Sequence, residues 1–80
     1  MPAIKYINRL KTIDQLIRLH ATGNHKRLAE RLGITERQLY KYMKNLEELG
    51  AKIRYERSLN SYVYDTDIKL VIAYMYKNEN

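Results

Sequence analysis

The sequence predicts a mainly α-helical chain that ends in a small β-hairpin, an α+β fold built from 80 residues. Three observations carry this expectation. Apolar residues recur at three- and four-residue steps through the first fifty positions, and capping residues and glycines cut that stretch into three pieces. After Gly50, short runs of β-branched residues and tyrosine replace the helical spacing. A chain of this length has room for one domain with a small core. At 45 % hydrophobic residues, with all eight aromatics being tyrosine, the composition is that of a folded chain rather than a disordered tail.

The first helix is expected from about Lys5 to His20. Ile4, Ile7, Leu10, Ile13, Leu16, Ile17 and His20 share one face, while Arg9, Lys11, Asp14 and Arg18 fill the other. Ala21-Thr22-Gly23-Asn24 closes it, with Gly23 suited to the left-handed conformation after a helix and Asn24 to capping the next. A short second helix follows from His25 to about Leu32, turning Leu28, Ala29 and Leu32 inward, and Gly33 stops it. Thr35 opens the third helix, residues 35–49, and Gln38 three positions on completes a capping-box pattern. Leu39, Met43, Leu46 and Gly50 then follow one line, and Leu49-Gly50 supplies the stop. Ile53-Arg54-Tyr55 and Tyr62-Val63-Tyr64 read as the strands of a hairpin within residues 52–64, with a polar tip from Glu56 to Ser61. The segment 66–76 contains the apolar run Ile68–Tyr76, read here as a strand although its length also fits a short helix.

The 15 Lys and Arg against 9 Asp and Glu give a net charge of +6, and the excess is uneven. Residues 1–57 carry 13 cations and 6 anions, a balance of +7, whereas residues 58–80 carry two cations and three anions. Positive excess attracts polyanions, nucleic acid first and an acidic membrane surface second. The absence of cysteine excludes a disulfide framework and a thiolate zinc site. No apolar run approaches a membrane span, and Met1 to Tyr6 lacks the order of a signal peptide, so a cytoplasmic, nucleoid-associated protein is expected. His20 and His25 have no acidic or thiol partners at metal-ligand spacing, so no metal site is expected. No nucleophile triad and no phosphate-binding glycine loop is present, and neither an enzyme nor a cofactor is expected.

Helix, helix, sharp turn, helix and two-stranded hairpin is the order of a winged helix-turn-helix. Ala29 is small enough for two crossing helices to approach, Gly33 supplies the turn, and Leu28, Leu32, Ile34 and Leu39 point inward between the helices. The run Leu28-Ala29-Glu30-Arg31-Leu32-Gly33-Ile34-Thr35, followed by Gln38-Leu39-Tyr40-Lys41-Tyr42-Met43, resembles the HTH-11 or DeoR-like winged helix-turn-helix family. Leu46, Leu49-Gly50, Ile53 and Tyr62 extend the likeness to roughly residues 6–64. The chain is also similar to short stand-alone Bacteroidetes proteins of this type. The resemblance implies a DNA-binding transcriptional regulator. Tyr42 departs from the family pattern, which commonly has a polar or acidic residue there.

With Leu39 at zero and about 100° per residue, Arg37, Lys41 and Lys44 fall near 160°, 200° and 140°, a basic line opposite the core stripe. Tyr40 and Gln38 stand on its shoulders. A helix in the major groove sets its N-terminal half against base edges, so Arg37 suits guanine and Gln38 adenine. Thr35, at the helix start, suits a phosphate, and Lys41 and Lys44 suit phosphates along the line. Tyr40 has two readings, packing on the second helix or reaching a phosphate. Tyr42 lies at the core edge, and Glu36 should point aside. Lys26 and Arg27 open the second helix, where cations oppose the helix dipole unless a phosphate lies nearby. On the wing, Arg54 and Arg57 suit a minor groove or backbone, with a merely solubilising loop as the alternative. Tyr55, Tyr62 and Tyr64 are expected to line the core in part, with stacking on unpaired bases as the other reading.

Double-stranded DNA is therefore the expected partner. A homodimer through Ile68–Tyr76 would let two copies read two half-sites. Two further readings stand beside this one: a protein-interaction module, or an RNA binder, using the same basic face.

Overall fold

The computed structural model describes residues 2–65. The strand and dimer contact expected at Ile68–Tyr76 lie outside the described residues. Three helices, α1 (Pro2–Arg18), α2 (His25–Leu32) and α3 (Glu36–Glu48), are followed by β1 (Ile53–Glu56) and β2 (Ser61–Tyr64). The strands pair antiparallel, with Ile53 opposite Tyr64 and Glu56 opposite Ser61. This is a three-helix cluster with a two-stranded wing, the winged helix-turn-helix arrangement that the element order predicts.

All three helices end in the same way. One or two residues past the helix a residue takes a positive φ, and its amide and the next reach back to carbonyls three and five residues earlier. At α2 these are Gly33 N–H to Glu30 O (3.1 Å) and Ile34 N–H to Ala29 O (3.0 Å), with Gly33 at φ 69°. At α3 they are Gly50 N–H to Glu47 O (2.9 Å) and Ala51 N–H to Leu46 O (3.2 Å). At α1, His20 plays the part of glycine, at φ 55°, with His20 N–H to Ile17 O at 3.1 Å and Ala21 N–H to Leu16 O at 2.9 Å. The first helix therefore ends at Arg18, short of the expected His20, because its last carbonyls are already satisfied by this loop-back. Its start at Pro2 rather than Lys5 follows from proline's compatibility with a first helical turn, where no intrahelical N–H bond is needed.

Leu10, Ile13 and Ile17 of α1, Leu28 and Ala29 of α2, and Leu39, Met43 and Leu46 of α3 form one buried cluster, joined by Ala51. Ile4 and His20, expected on the buried face of the first helix, are exposed. Asp14, expected on the polar face, is wholly buried at 0 % exposure. It lies one step from the apolar stripe, and β2 packs over that flank: Tyr64 Oη donates to Asp14 Oδ1 at 2.9 Å, beside Arg18 Nε at 3.1 Å. A buried carboxylate needs such partners to remain charged.

A second buried polar joint fixes the wing against the α1–α2 loop. Thr22 Oγ1 accepts from Tyr62 N–H at 2.8 Å, Thr22 N–H donates to Ser61 Oγ at 3.2 Å, and the two hydroxyl oxygens lie 3.0 Å apart. The wing tip is the four-residue loop Arg57–Asn60, closed by Leu59 N–H to Glu56 O and Asn60 N–H to Arg57 O, both 3.2 Å. It is shorter than the six residues expected, because Glu56 and Ser61 extend the ladder by one pair.

Candidate nucleic-acid interface

The helix-turn-helix is held by local chemistry at both helix starts. Asn24 Oδ1 accepts from Arg27 N–H (2.9 Å) and caps α2. At α3, Thr35 Oγ1 accepts from Gln38 N–H while Gln38 Oε1 accepts from Thr35 N–H, both at 3.0 Å. The reciprocal pair satisfies two amides that a helix start otherwise leaves open. It also gives the Gln38 carbonyl oxygen a structural task. A bidentate contact with adenine needs that oxygen as well, so capping and base reading compete for one atom.

The exposed side of α3 presents Arg37, Lys41 and Lys44, with Leu39, Met43 and Leu46 buried behind them. None of these three cations makes an ion pair or side-chain hydrogen bond among the described residues, and the same holds for Lys26, Arg27 and Arg57. Other arginines are engaged within the fold. Arg9 Nη1 donates to Tyr42 Oη (3.2 Å), Arg18 pairs with Asp14, and Arg31 Nη1 donates to Ala21 O (3.0 Å). Arg54, expected to reach outward from the wing, is held by Glu56 and by Asp65 (2.8 Å). The fold thus separates cations that brace it from cations left facing solvent.

The charge around α3 changes along its length. Glu36, in the first turn, is turned aside as expected, with its Oε1 2.8 Å from His25 Nε2 at the start of α2. Tyr40 tilts against the same imidazole, ring centroids 5.6 Å apart, which favours packing over a free reach to phosphate. Glu47 and Glu48 occupy the last turn, where no basic residue stands. The cations of α3 therefore lie ahead of its last turn, while Lys26 and Arg27 of α2 border an open concavity with Asn24, Glu30 and Arg31.

On the other shoulder, Tyr42 stacks on Tyr6 of α1 (5.5 Å between ring centroids, 27° between planes). This tyrosine packs two helices together, as its place at the core edge suggests. In the wing, Tyr62 and Tyr64 are half-buried against the core, and Tyr55 meets Tyr62 edge to face at 5.2 Å. Burial pushes the Tyr62 hydroxyl upward from its ordinary pKa, helped by the nearby Tyr40 and Tyr55. Hydrogen bonds from Arg54 and then Ser58 hold the Glu56 carboxyl down at about 2.

Sequence reasoning did not single out Thr22, Ser61 or Asn45, or the buried place of Asp14. Nothing in their local spacing marks Thr22, Ser61 or the burial of Asp14, which are defined by contacts with distant elements, whereas the place of Asn45 on the flank of Gln38 and Lys41 was legible from helical spacing. Among the described residues no cluster of three or more His, Asp or Glu could hold a metal, and no helix is long and apolar enough to cross a membrane.

Capped helices, a tight turn with positive φ and a hairpin docked on α1 define a winged helix-turn-helix protein. A family model described as an HTH domain, of the HTH-11 type, matches residues 8–59, and the chain belongs to that family. No curated protein and no solved structure matches the chain. The HTH domain is a DNA-binding, non-enzymatic kind, and its partner class is double-stranded DNA.

Proposed function

We propose that this protein binds double-stranded DNA sequence-specifically and acts in transcriptional control, with α3 in the major groove and the wing on the backbone or minor groove. The observation that carries the reading is the uncommitted basic line Arg37, Lys41 and Lys44, braced by a core in which Leu39 and Leu46 are fully buried. Arg37, in the first turn, reads a guanine edge with its paired donors, and Gln38 reads adenine to the extent that its carbonyl oxygen is shared with the cap. Thr35, Lys41, Lys44, Lys26 and Arg27 hold phosphates on either side of the groove, with Arg57 doing so from the wing. Tyr40 borders the phosphate path while packed on His25.

One module discriminates by only about 1–3 kcal/mol per good base contact. A second copy is therefore part of the proposal, and Ile68–Tyr76 is its candidate contact on sequence grounds. The test is selection from a random duplex library with the native chain and Arg37→Ala. The native chain should enrich a defined sequence, and Arg37→Ala should still bind duplexes but lose the preference at the position that Arg37 reads. Retention of the same preference by Arg37→Ala removes the assigned role, and preference for structured RNA over every duplex overturns the DNA reading.

A further inference from the structure

On the α1 side of the basic line lies a concavity of about 310 Å³, lined by Tyr6, Gln38, Lys41, Tyr42 and Asn45. Gln38, Lys41 and Asn45 succeed one another at three- and four-residue steps, so all three lie along the same flank of α3. Asn45 is half-buried at the floor of this flank, and its side-chain amide makes no hydrogen bond among the described residues. Its backbone carbonyl accepts from Leu49 N–H at 3.2 Å. Gln38 is in the opposite situation, with its Oε1 already accepting from Thr35 N–H. Of the two amides on this flank, Asn45 is the one with both donor and acceptor available.

Resting on the DNA-binding reading above, we propose that Asn45 is a second base-reading residue, which recognises adenine, with Tyr6 and Tyr42 packing against the 5-methyl group of a neighbouring thymine. The coplanar oxygen and NH2 of an asparagine match the N6 donor and N7 acceptor that adenine presents in the major groove. The tyrosine wall is set before any duplex arrives. Its rings are stacked, and Arg9 Nη1 holds the Tyr42 hydroxyl, so little side-chain freedom is lost on contact. Lys41 at the rim supplies the charge that keeps a phosphate-lined groove over the notch.

Beyond Asn45 the helix carries Glu47 and Glu48, whose charge disfavours phosphate, so this notch marks the end of the footprint along α3. Eight residues separate Arg37 from Asn45, about 12 Å of helix, which places the adenine roughly three base pairs from the guanine of Arg37.

The experiment compares the native chain with Asn45→Ala by selection from random duplexes, then by affinity for the selected site. Asn45→Ala should flatten the base preference at one A·T pair roughly three base pairs from the Arg37-dependent position and leave that position intact. Affinity for the selected site should fall about tenfold, roughly 1.4 kcal/mol. Replacing that adenine by 7-deazaadenine, which removes only the N7 acceptor, should weaken the native chain about as much and leave Asn45→Ala unaffected. Replacing the adjoining thymine by uracil should weaken binding by the native chain. Thermal unfolding of Asn45→Ala should match the native chain, because the amide has no partner to lose. If Asn45→Ala retains every base preference of a native chain that binds duplex, this inference falls and the DNA-binding proposal stands. If the native chain binds no duplex, both fall.

Discussion

Salt dependence offers a quantitative check on the separation of engaged and uncommitted cations. Lys26, Arg27, Lys41, Lys44 and Arg57 are exposed, and none of their side chains is engaged among the described residues. If these five meet phosphate, about 0.9 counterion is released per contact, and the slope of log K against log salt is roughly −4.5. A rise from about 50 to 200 mM salt then weakens binding roughly 500-fold. Removing one of them, as in Lys41→Ala, should weaken all duplexes alike and shallow the slope by about 0.9. Arg54→Ala should leave the slope unchanged, because that guanidinium is already matched by Glu56 and Asp65. Fluorescence anisotropy of a labelled duplex across a salt series reads all three proteins. A native slope near zero, or an Arg54→Ala change as large as that of Lys41→Ala, would refute the reasoning.

Two further predictions concern the wing. Thr22→Val keeps shape but leaves the Tyr62 amide without its acceptor in a buried joint, a loss of about 1–3 kcal/mol, while the Ser61 hydroxyl keeps the Tyr62 carbonyl and the residue 22 amide. Thermal unfolding should report this as a Tm lowered by roughly 5–20 °C, and a Tm within a degree of native would show that the joint is not needed. Glu56 has a folded-state pKa of about 2 against an ordinary 4.5, so its contribution is complete above 4.5 and declines as pH falls toward 2. A carboxyl NMR titration should place its midpoint near 2 in the native chain and raise it toward the ordinary value in Arg54→Ala, where the Ser58 hydrogen bonds remain. A native midpoint at the ordinary value would show that the Arg54 contact is absent in solution.

The helix-turn-helix was the most legible part of the chain because its signals are short-range. Asn24 reaches an amide three residues on, Thr35 and Gln38 satisfy one another across the same distance, and Gly33 takes a backbone angle that few other residues tolerate. The spacing of Leu39, Met43 and Leu46 fixes which side of α3 is buried, and therefore that Arg37, Lys41 and Lys44 face outward. Such features depend on geometry within a turn or two, which any window of sequence contains. The first helix was less well bounded, because His20 adopts a left-handed angle in addition to Gly23, where local pattern expects one.

Tertiary structure alone decided the rest. Asp14 is buried because Tyr64, fifty residues away, folds over it, and Thr22 becomes a joint because Ser61 and Tyr62 arrive from the wing. Likewise, whether an arginine braces the fold or faces solvent depends on which carboxylate, hydroxyl or carbonyl another element brings within reach. Arg9, Arg31 and Arg54 look no different in sequence from Arg37 and Arg57. Charge is a property of composition, but its availability is a property of neighbours, and neighbours are fixed only when the chain closes on itself.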